Sequence, residues 1–526
     1  MRFDQLLVDK KKQVMAVSMS SEINGLAREL NRISEMNRRT RDFTLNSIRR
    51  ALIGFIAHFP VYRTYVSDAP GVDERDAHYI QWTISRARIA DPTTNTSLFQ
   101  WLEDVLLKRY PEHLPVAERQ VMLHFAMKLQ QITGPVMAKG LEDTVFYVYN
   151  RLVALNEVGG EPEHFGTSVD TFHHRNLERA RDFPGALLGS STHDTKRSED
   201  VRARLVVLSE MPGEWRRALE SWRKLNAGHK TEIGGKPVPS GNDEYLLYQT
   251  ILGAWPMGEL DMAQLPAFRD RIREYMLKAI REAKVHTSWT NPDPDYEEAT
   301  ALFVDRVLDP GVSRVFFDQV RQLKERIERP GQVNSLVQVA LKLASPGVPD
   351  IYQGAELWDL SLVDPDNRRP VNFQLREEML SELQRQHASA PVSVARDAWA
   401  HPADGRCKML LTTMMLRLRQ ARPDLFRRGG YEPLELDGIA SARALAFARR
   451  LGDEAVVVAA PRLVTRALRA GLGPVYGSTR MRLPTDLAGR RFRNVVTGVR
   501  VQPLEGGLAL GPLFTDFPVA VLEAVE

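Results

Sequence analysis

The chain has 526 residues, 43% of them hydrophobic and 26% charged, and its 71 basic and 67 acidic side chains leave a net charge of +4. That length allows two or three domains around a large core, and the near balance of charge, with only short basic clusters such as Lys10-Lys11-Lys12, argues against a nucleic-acid footprint. No apolar run approaches the ~20 residues that span a bilayer, the N-terminus lacks the apolar core of a signal peptide, and one cysteine, Cys407, excludes an internal disulfide. A cytoplasmic protein without nucleic-acid or membrane partners is therefore expected.

Apolar residues at a three-to-four spacing predict helices through most of residues 1–185. Val14, Val17, Met19, Ile23, Leu26, Leu30 and Ile33 keep that spacing, and Leu45, Ile48, Leu52, Ile53 and Ile56 continue it until Pro60. Further helices are expected around Ile80–Arg88, Ser97–Leu107 and Val116–Ile132, making a helical subdomain. Within it, Lys139, Phe146, Tyr147 and Tyr149 could face sugar, because aromatic faces stack on glucose and lysine bonds hydroxyls. Alternatively Val145 and Phe146 are core, with tyrosine tips at the surface.

The stretch Ala186 to Asp200 reads as a short buried strand, a polar turn and the start of a helix. In barrels of parallel strands, catalytic side chains stand where strands run out into loops. His193 and Asp194 hold such a place, and an imidazole beside a carboxylate can grip neighbouring sugar hydroxyls. The plainer reading makes Asp194 or Thr195 a helix cap, with Lys196 and Arg197 solvated.

A helical insertion is expected over about 200–335. Trp215 and Trp222, seven apart, share one face and read as core. Ser288-Trp289-Thr290-Asn291-Pro292-Asp293-Pro294 is a rigid polar loop that either touches substrate, with Trp289 as the candidate contact, or caps the helix starting near Tyr296. Ser345 to Gly354 reads as a second buried strand, against which a helix from Met409 to Arg419 should pack. In the loop Asp364-Pro365-Asp366-Asn367-Arg368-Arg369-Pro370, Asp364 and Arg368 either bind sugar or form a structural ion pair. Beyond residue 429, short apolar runs between turns predict a β-domain. His173 and His174 are adjacent and the other histidines scattered, so neither metal nor cofactor is expected.

The run Ser191 to Asp200 resembles the segment around the third catalytic carboxylate of the maltooligosyl trehalose synthases, a branch of the α-amylase family. Arg41-Asp42-Phe43-Thr44-Leu45, Phe59 to Tyr65, Ala138 to Thr144, Leu155-Asn156-Glu157-Val158-Gly159-Gly160, Ser288 to Pro292 and the run from Ser345 to Phe373 resemble it too. The resemblance implies a mixed α/β fold: the C-terminal part of an α-amylase-type (β/α)8 barrel with large helical subdomains and a C-terminal β-domain. The blocks would be 1–185 helical, 186–428 last barrel strands and helices, and 429–526 β-domain.

The implied activity is that of a (1→4)-α-D-glucan 1-α-D-glucosylmutase. The reducing-end α-1,4 bond of a maltooligosaccharide becomes an α,α-1,1 linkage by intramolecular transglucosylation. By resemblance Asp194 is the third carboxylate and His193 its hydroxyl-binding neighbour. Lys139, Phe146, Tyr147, Tyr149, Lys196, Arg197, Trp289, Asp364 and Arg368 are the candidate sugar contacts. Val148 stands where the family carries a basic residue. The family's nucleophile lies in a Gly-x-Arg-x-Asp motif, which is absent here, as is an Asp-x-x-x-Asn-His motif. The expectation is a C-terminal portion, inactive alone, whose N-terminal half is encoded or cut elsewhere. The alternatives are a non-catalytic carbohydrate-binding or scaffold chain and, as a third reading, a hydrolase using Glu142, Asp143 or Glu356.

Overall fold

The computed structural model describes residues 2–112 and 114–525, and in it the chain separates into two compact units. One comprises Met1–Asn150 with Ala279–Pro292, the other Arg151–Lys278 with Asp293–Glu526. Residues 151–185 of the expected helical block thus fall in the second unit, and residues 279–292 of the expected insertion fall in the first.

The first unit is built on α1 (Phe3–Val17), α2 (Ser20–Glu35), α3 (Leu45–His58), α4 (Glu74–Ala90), α5 (Thr96–Leu106) and α6 (Val116–Met137). Local chemistry sets their ends. The Thr44 side chain accepts from Ser47 N–H at the start of α3, and Asn95 does the same for Ser97 at α5. The apolar stripes converge on one core that includes Ile23, Leu26, Leu30, Leu52, Phe55, Phe99, Leu102 and Phe125. Each such side chain contributes about 1.5–3 kcal/mol by leaving water. Pro135 removes a ladder donor near the end of α6. Directly after it the helix widens into a π-turn, Ala138–Glu142, closed by Asp143 N–H on the Ala138 carbonyl at 3.1 Å.

That π-turn presses on α1 at Gly140, where a Cβ would lie 2.8 Å from Cγ of Lys11. Lys11 is itself buried, its Nζ donating to the Phe59 carbonyl at 2.7 Å, and burial lowers its pKa to about 7. The unfolded chain keeps the ordinary lysine value near 10.5. From about pH 7 to about pH 10 the unfolded state therefore binds one more proton than the folded state, so stability rises with pH across that window and levels off below it. Lys11→Met is expected to raise Tm at pH 7 and to flatten this slope. Thermal melts of the two proteins between pH 7 and 10 check it, and parallel curves would refute it.

The second unit contains α7 (Val169–Asp182), β1 (Leu187–Gly189), α8 (Glu199–Leu205), α9 (Pro212–Asn226), the hairpin β2 (Thr231–Ile233) and β3 (Lys236–Val238), α10 (Gly241–Ala254), most of α11 (Leu265–Ala283), α12 (Pro294–Val307), α13 (Arg314–Ala344) and β4 (Val348–Asp350). Trp215 and Trp222 meet edge to face at 5.7 Å within its interior. Strands β1 and β4 pair in parallel, with Leu187 opposite Val348 and Gly189 opposite Asp350. The expectation of buried strands is corrected here. Leu187 is 77% exposed and Val348 47%, because among the described residues the sheet has only these two strands.

Helices α14 (Phe373–Ser389), α15 (Pro391–Ala400), α16 (Arg406–Ala421) and α17 (Pro423–Arg428) lead to the C-terminal sheets. Their strands are β5 (Gly430–Pro433), β6 (Leu436–Asp437), β7 (Ala444–Leu451), β8 (Glu454–Pro461), β9 (Arg480–Arg482), β10 (Arg491–Asn494), β11 (Arg500–Val501), β12 (Gly507–Ala509) and β13 (Ala520–Val525). The larger sheet is antiparallel in the order β11-β10-β13-β8-β7-β5, beside a smaller one ordered β12-β9-β6. Helix α16 does not pack chiefly on β4 as its pattern suggested. Leu410, Leu411, Met415 and Leu418 join α13 and the large sheet in one core with Leu336, Leu343, Phe447 and Val458. Cys407 is fully buried at the start of α16, and burial pushes its thiol up to about 12, which suits a packing residue. Among the described residues no helix is long and apolar enough to cross a membrane.

Candidate active site

Between β1 and α8 the chain makes a tight polar turn that carries His193 and Asp194 outward, both exposed. Among the described residues neither side chain is engaged in a hydrogen bond or ion pair, so both are available to a ligand. The turn beneath them is closed by the Thr192 carbonyl, which accepts from the Thr195 hydroxyl at 2.9 Å, and by Thr192 Oγ1, which accepts from Asp194 N–H at 3.2 Å. Asp194 does not cap α8. The residue before that helix is Ser198, and Ser191 Oγ accepts from Glu199 N–H at 2.9 Å.

Outside contacts hold the turn on both sides. Asn367 Nδ2 donates to the His193 carbonyl at 3.0 Å, and Ser198 N–H donates to the Ser361 carbonyl at 3.0 Å. Glu157 takes the next two amides: Lys196 N–H at 2.8 Å on Oε1 and Arg197 N–H at 3.1 Å on Oε2. Behind the turn lies a buried ionic network. Lys408 Nζ is 2.7 Å from Glu199 and 2.8 Å from Asp200, while Lys342 donates to Ser190 Oγ at 2.7 Å. Burial raises the Glu199 pKa, but the charges of Lys408 and Lys342 outweigh it and bring the carboxyl to about 2. Removing one partner would leave buried charge unpaired, so this network fixes the end of β1 and the start of α8 rigidly.

The solvated placement of two candidate sugar contacts in this segment is corrected. Lys196 and Arg197 are buried, at 4% and 1% exposure, and the Arg197 guanidinium points inward to the Tyr275 hydroxyl at 2.6 Å and the Val153 carbonyl at 3.4 Å. The two backbone amides bound by Glu157 draw these residues into the interior. Asp364 and Arg368 pair with each other at 2.6 Å on an exposed surface, the ion-pair alternative for that loop. Its other side lines a cavity of about 530 Å³, through Asp366, Asn367 and Arg369, together with Gln353, Trp358 and Arg376. Arg271 clamps Asp366 through two bonds of 2.9 and 2.8 Å. Burial raises the Asp366 pKa, yet Arg271 holds it below the usual carboxylate range. Asn367 thus belongs both to the cavity wall and to the support of His193.

In the first unit, Lys139 and Trp289 come together on a cavity of about 520 Å³, with Gln13, Ser18, Glu282 and Asn291. Trp289 is 54% exposed. Its Nε1–H donates to Glu282 at 3.0 Å, and the Arg281 guanidinium lies 4.8 Å from the ring centroid, so the indole is held in one orientation. The same loop caps the start of α12 through Asp293, which accepts from Tyr296 N–H at 3.0 Å. Lys139 stands on the π-turn, paired with Asp143 at 2.7 Å. Phe146, Tyr147 and Tyr149 do not stand at the surface: all three are buried. Tyr149 packs with Leu6 and Val145 in a small core and meets Phe3 edge-on at 5.1 Å. The 3₁₀ turn at Val145–Tyr147 places all three of its side chains in the interior. Glu142 accepts from the Tyr62 hydroxyl and Glu356 pairs with Arg376 at 3.2 Å.

Three residues escaped the sequence reading. Asp366 and Arg369 sit in a loop already singled out, but on the face that spacing did not reveal. Glu157 lies in a quoted motif whose chemistry is visible only in three dimensions.

No family model matches the chain. It is 38% identical over 398 residues to a Mycobacterium tuberculosis protein that bears the name maltooligosyl trehalose synthase, a match covering 76% of this chain and 45% of that protein. The solved structure of maltooligosyltrehalose synthase from Arthrobacter ramosus is similar over 100% of this chain and 59% of its own, with a TM-score of 0.79 at 30% identity. A hypothetical maltooligosyl trehalose synthase from Sulfolobus tokodaii is similar over 99% of this chain and 58% of its own, with a TM-score of 0.71 at 29% identity. The chain thus spans about half the length of the relatives it matches.

Proposed function

We propose that the chain is the part of a maltooligosyl trehalose synthase that grips the reacting glucosyl ring, in a cytoplasmic enzyme whose substrate is a maltooligosaccharide. The observation that carries this reading is the exposed, unengaged His193–Asp194 pair on a rigid turn at the end of a parallel strand. A carboxylate there binds adjacent ring hydroxyls and strengthens its hold as the ring flattens towards an oxocarbenium-like state. The reaction breaks the reducing-end α-1,4 bond through a covalent glycosyl-enzyme. The freed glucose then attacks through its anomeric hydroxyl, giving an α,α-1,1 linkage. Excluding water is what separates this isomerisation from hydrolysis.

The nucleophile and the general acid are proposed to come from a polypeptide outside these residues. Two observations support that. No Gly-x-Arg-x-Asp motif occurs in the chain, and β1 and β4 leave both sheet edges unpaired among the described residues, as strands of a partly assembled barrel would. The test combines the chain with such a polypeptide on maltopentaose and follows the products by NMR. Loss of the reducing end with appearance of an α,α-1,1 anomeric signal is expected. Binding without turnover would favour the scaffold alternative.

The Lys139–Trp289 cavity is proposed to bind glucosyl units, the fixed indole stacking on a ring and the lysine meeting its hydroxyls. Trp289→Ala is expected to weaken maltotriose binding about 10-fold or more, since a stacked aromatic contact and its buried area contribute on the order of 1.5 kcal/mol. Calorimetric titration checks this, and unchanged affinity would remove Trp289 from the substrate contacts.

A further inference from the structure

Glu157 is a buried carboxylate in the loop that precedes α7. It follows Leu155 and Asn156 and precedes a Gly-Gly corner. At the second of these glycines, Gly160, a Cβ would lie 2.7 Å from the Glu157 carbonyl oxygen and 2.9 Å from that of Leu155. The corner closes through Gly160 N–H on the Glu157 carbonyl at 2.7 Å. This tight turn lets the side chain lie along the backbone of a segment 39 residues away, accepting Lys196 and Arg197 N–H. Oε1 also accepts its neighbour Val158 N–H at 2.8 Å, and Arg202 stands 3.7 Å from Oε2. Both oxygens are therefore occupied by donors, three of them backbone amides.

We infer that Glu157 is a positioning residue for the proposed reaction, holding Asp194 in place through the two backbone amides that follow it in the turn. The inference rests on the reading of Asp194 as the carboxylate that grips the ring. Asp194 lies between two anchors, Asn367 on the His193 carbonyl and Glu157 on the Lys196 and Arg197 amides. A carboxylate bonding backbone N–H is charge-assisted and shorter and stronger than a neutral contact. A glutamine at this position offers one acceptor oxygen and turns an NH2 group towards an N–H. The turn would then relax on one side, and misplacement of a reacting group by ~1 Å costs about 100-fold in rate.

The test is Glu157→Gln in the full chain. Hydrogen exchange of the Lys196 and Arg197 amides is expected to accelerate at least about 10-fold, with β7 and β8 unchanged. In the assembled enzyme kcat should fall about 10- to 100-fold with KM within about twofold. The double variant with Asp194→Asn should be no slower than Asp194→Asn alone, because the two residues act as one unit. Unchanged exchange at the turn, retained kcat, or losses that multiply in the double variant would each overturn the inference. Should Glu157→Gln fail to fold, Glu157→Asp, which keeps the charge but withdraws it by one methylene, takes its place with the same readings. If Asp194→Asn itself turns over normally, the reading of the site fails. If Asp194→Asn is inactive while Glu157→Gln is unimpaired, only the positioning role fails.

Discussion

Asp194→Asn is expected to lower turnover of the assembled enzyme by about 10³-fold or more while leaving the fold untouched. The substitution keeps the shape of the side chain and removes its charge. The loss should appear in kcat more than in KM, because hydroxyl contacts to a carboxylate strengthen as positive charge develops on the ring. Stability should not change. The Asp194 side chain is exposed, and its backbone N–H, not its carboxylate, makes the bond to Thr192. Exposed substitutions away from such contacts fall within about 0.5 kcal/mol. Steady-state kinetics on maltopentaose beside thermal melts decide the matter. Near-normal turnover in the folded variant would overturn the assignment of Asp194.

The helices of the first unit were readable because their stripes are regular: α3 runs Leu45–His58, where Leu45 to Ile56 predicted it, and Phe59-Pro60 ends it. The site was readable only in part, for physical reasons. His193 and Asp194 stand at a strand end followed by a helix, a local pattern that sequence carries. Lys139 and Trp289 are 150 positions apart, and only packing brings them onto one cavity. Phe146, Tyr147 and Tyr149 have the composition of a sugar platform, yet the turn they form is buried, and composition does not report which way a ring faces. Strand β1 has an apolar run that reads as interior, and Leu187 is nevertheless 77% exposed. A hydrophobic pattern states which surface seeks cover, not whether the chain itself supplies the cover. Likewise the loop at 364–370 announces sugar-like chemistry, but its 3₁₀ turn at Asp366–Arg368 turns Asp366 to Arg271 and leaves Asp364 and Arg368 to pair outside.

Purified by itself, the chain is expected to show no detectable turnover of maltopentaose. A retaining mechanism needs a nucleophilic carboxylate and a carboxylic acid about 5 to 5.5 Å apart, and Asp194 cannot both attack the anomeric carbon and protonate the leaving oxygen. The carboxylates that support its turn are already committed: Glu157 to backbone amides, and Glu199 and Asp200 to Lys408. Members of a catalytic unit are not replaced by partial sets, and losing one typically costs several orders of magnitude. The same chain should also associate with itself. The β1–β4 pair carries exposed Leu187 and Val348 beside strand edges with no partner among the described residues, and open apolar edges invite pairing. A polypeptide bringing the proposed nucleophile and general acid on neighbouring parallel strands would cover those edges at the same time, so solubility and activity should return together. Light scattering and product analysis, before and after its addition, read both. A stable monomer that turns over maltooligosaccharides alone would mean that its nucleophile lies within these residues, and the proposed division of the site would be wrong.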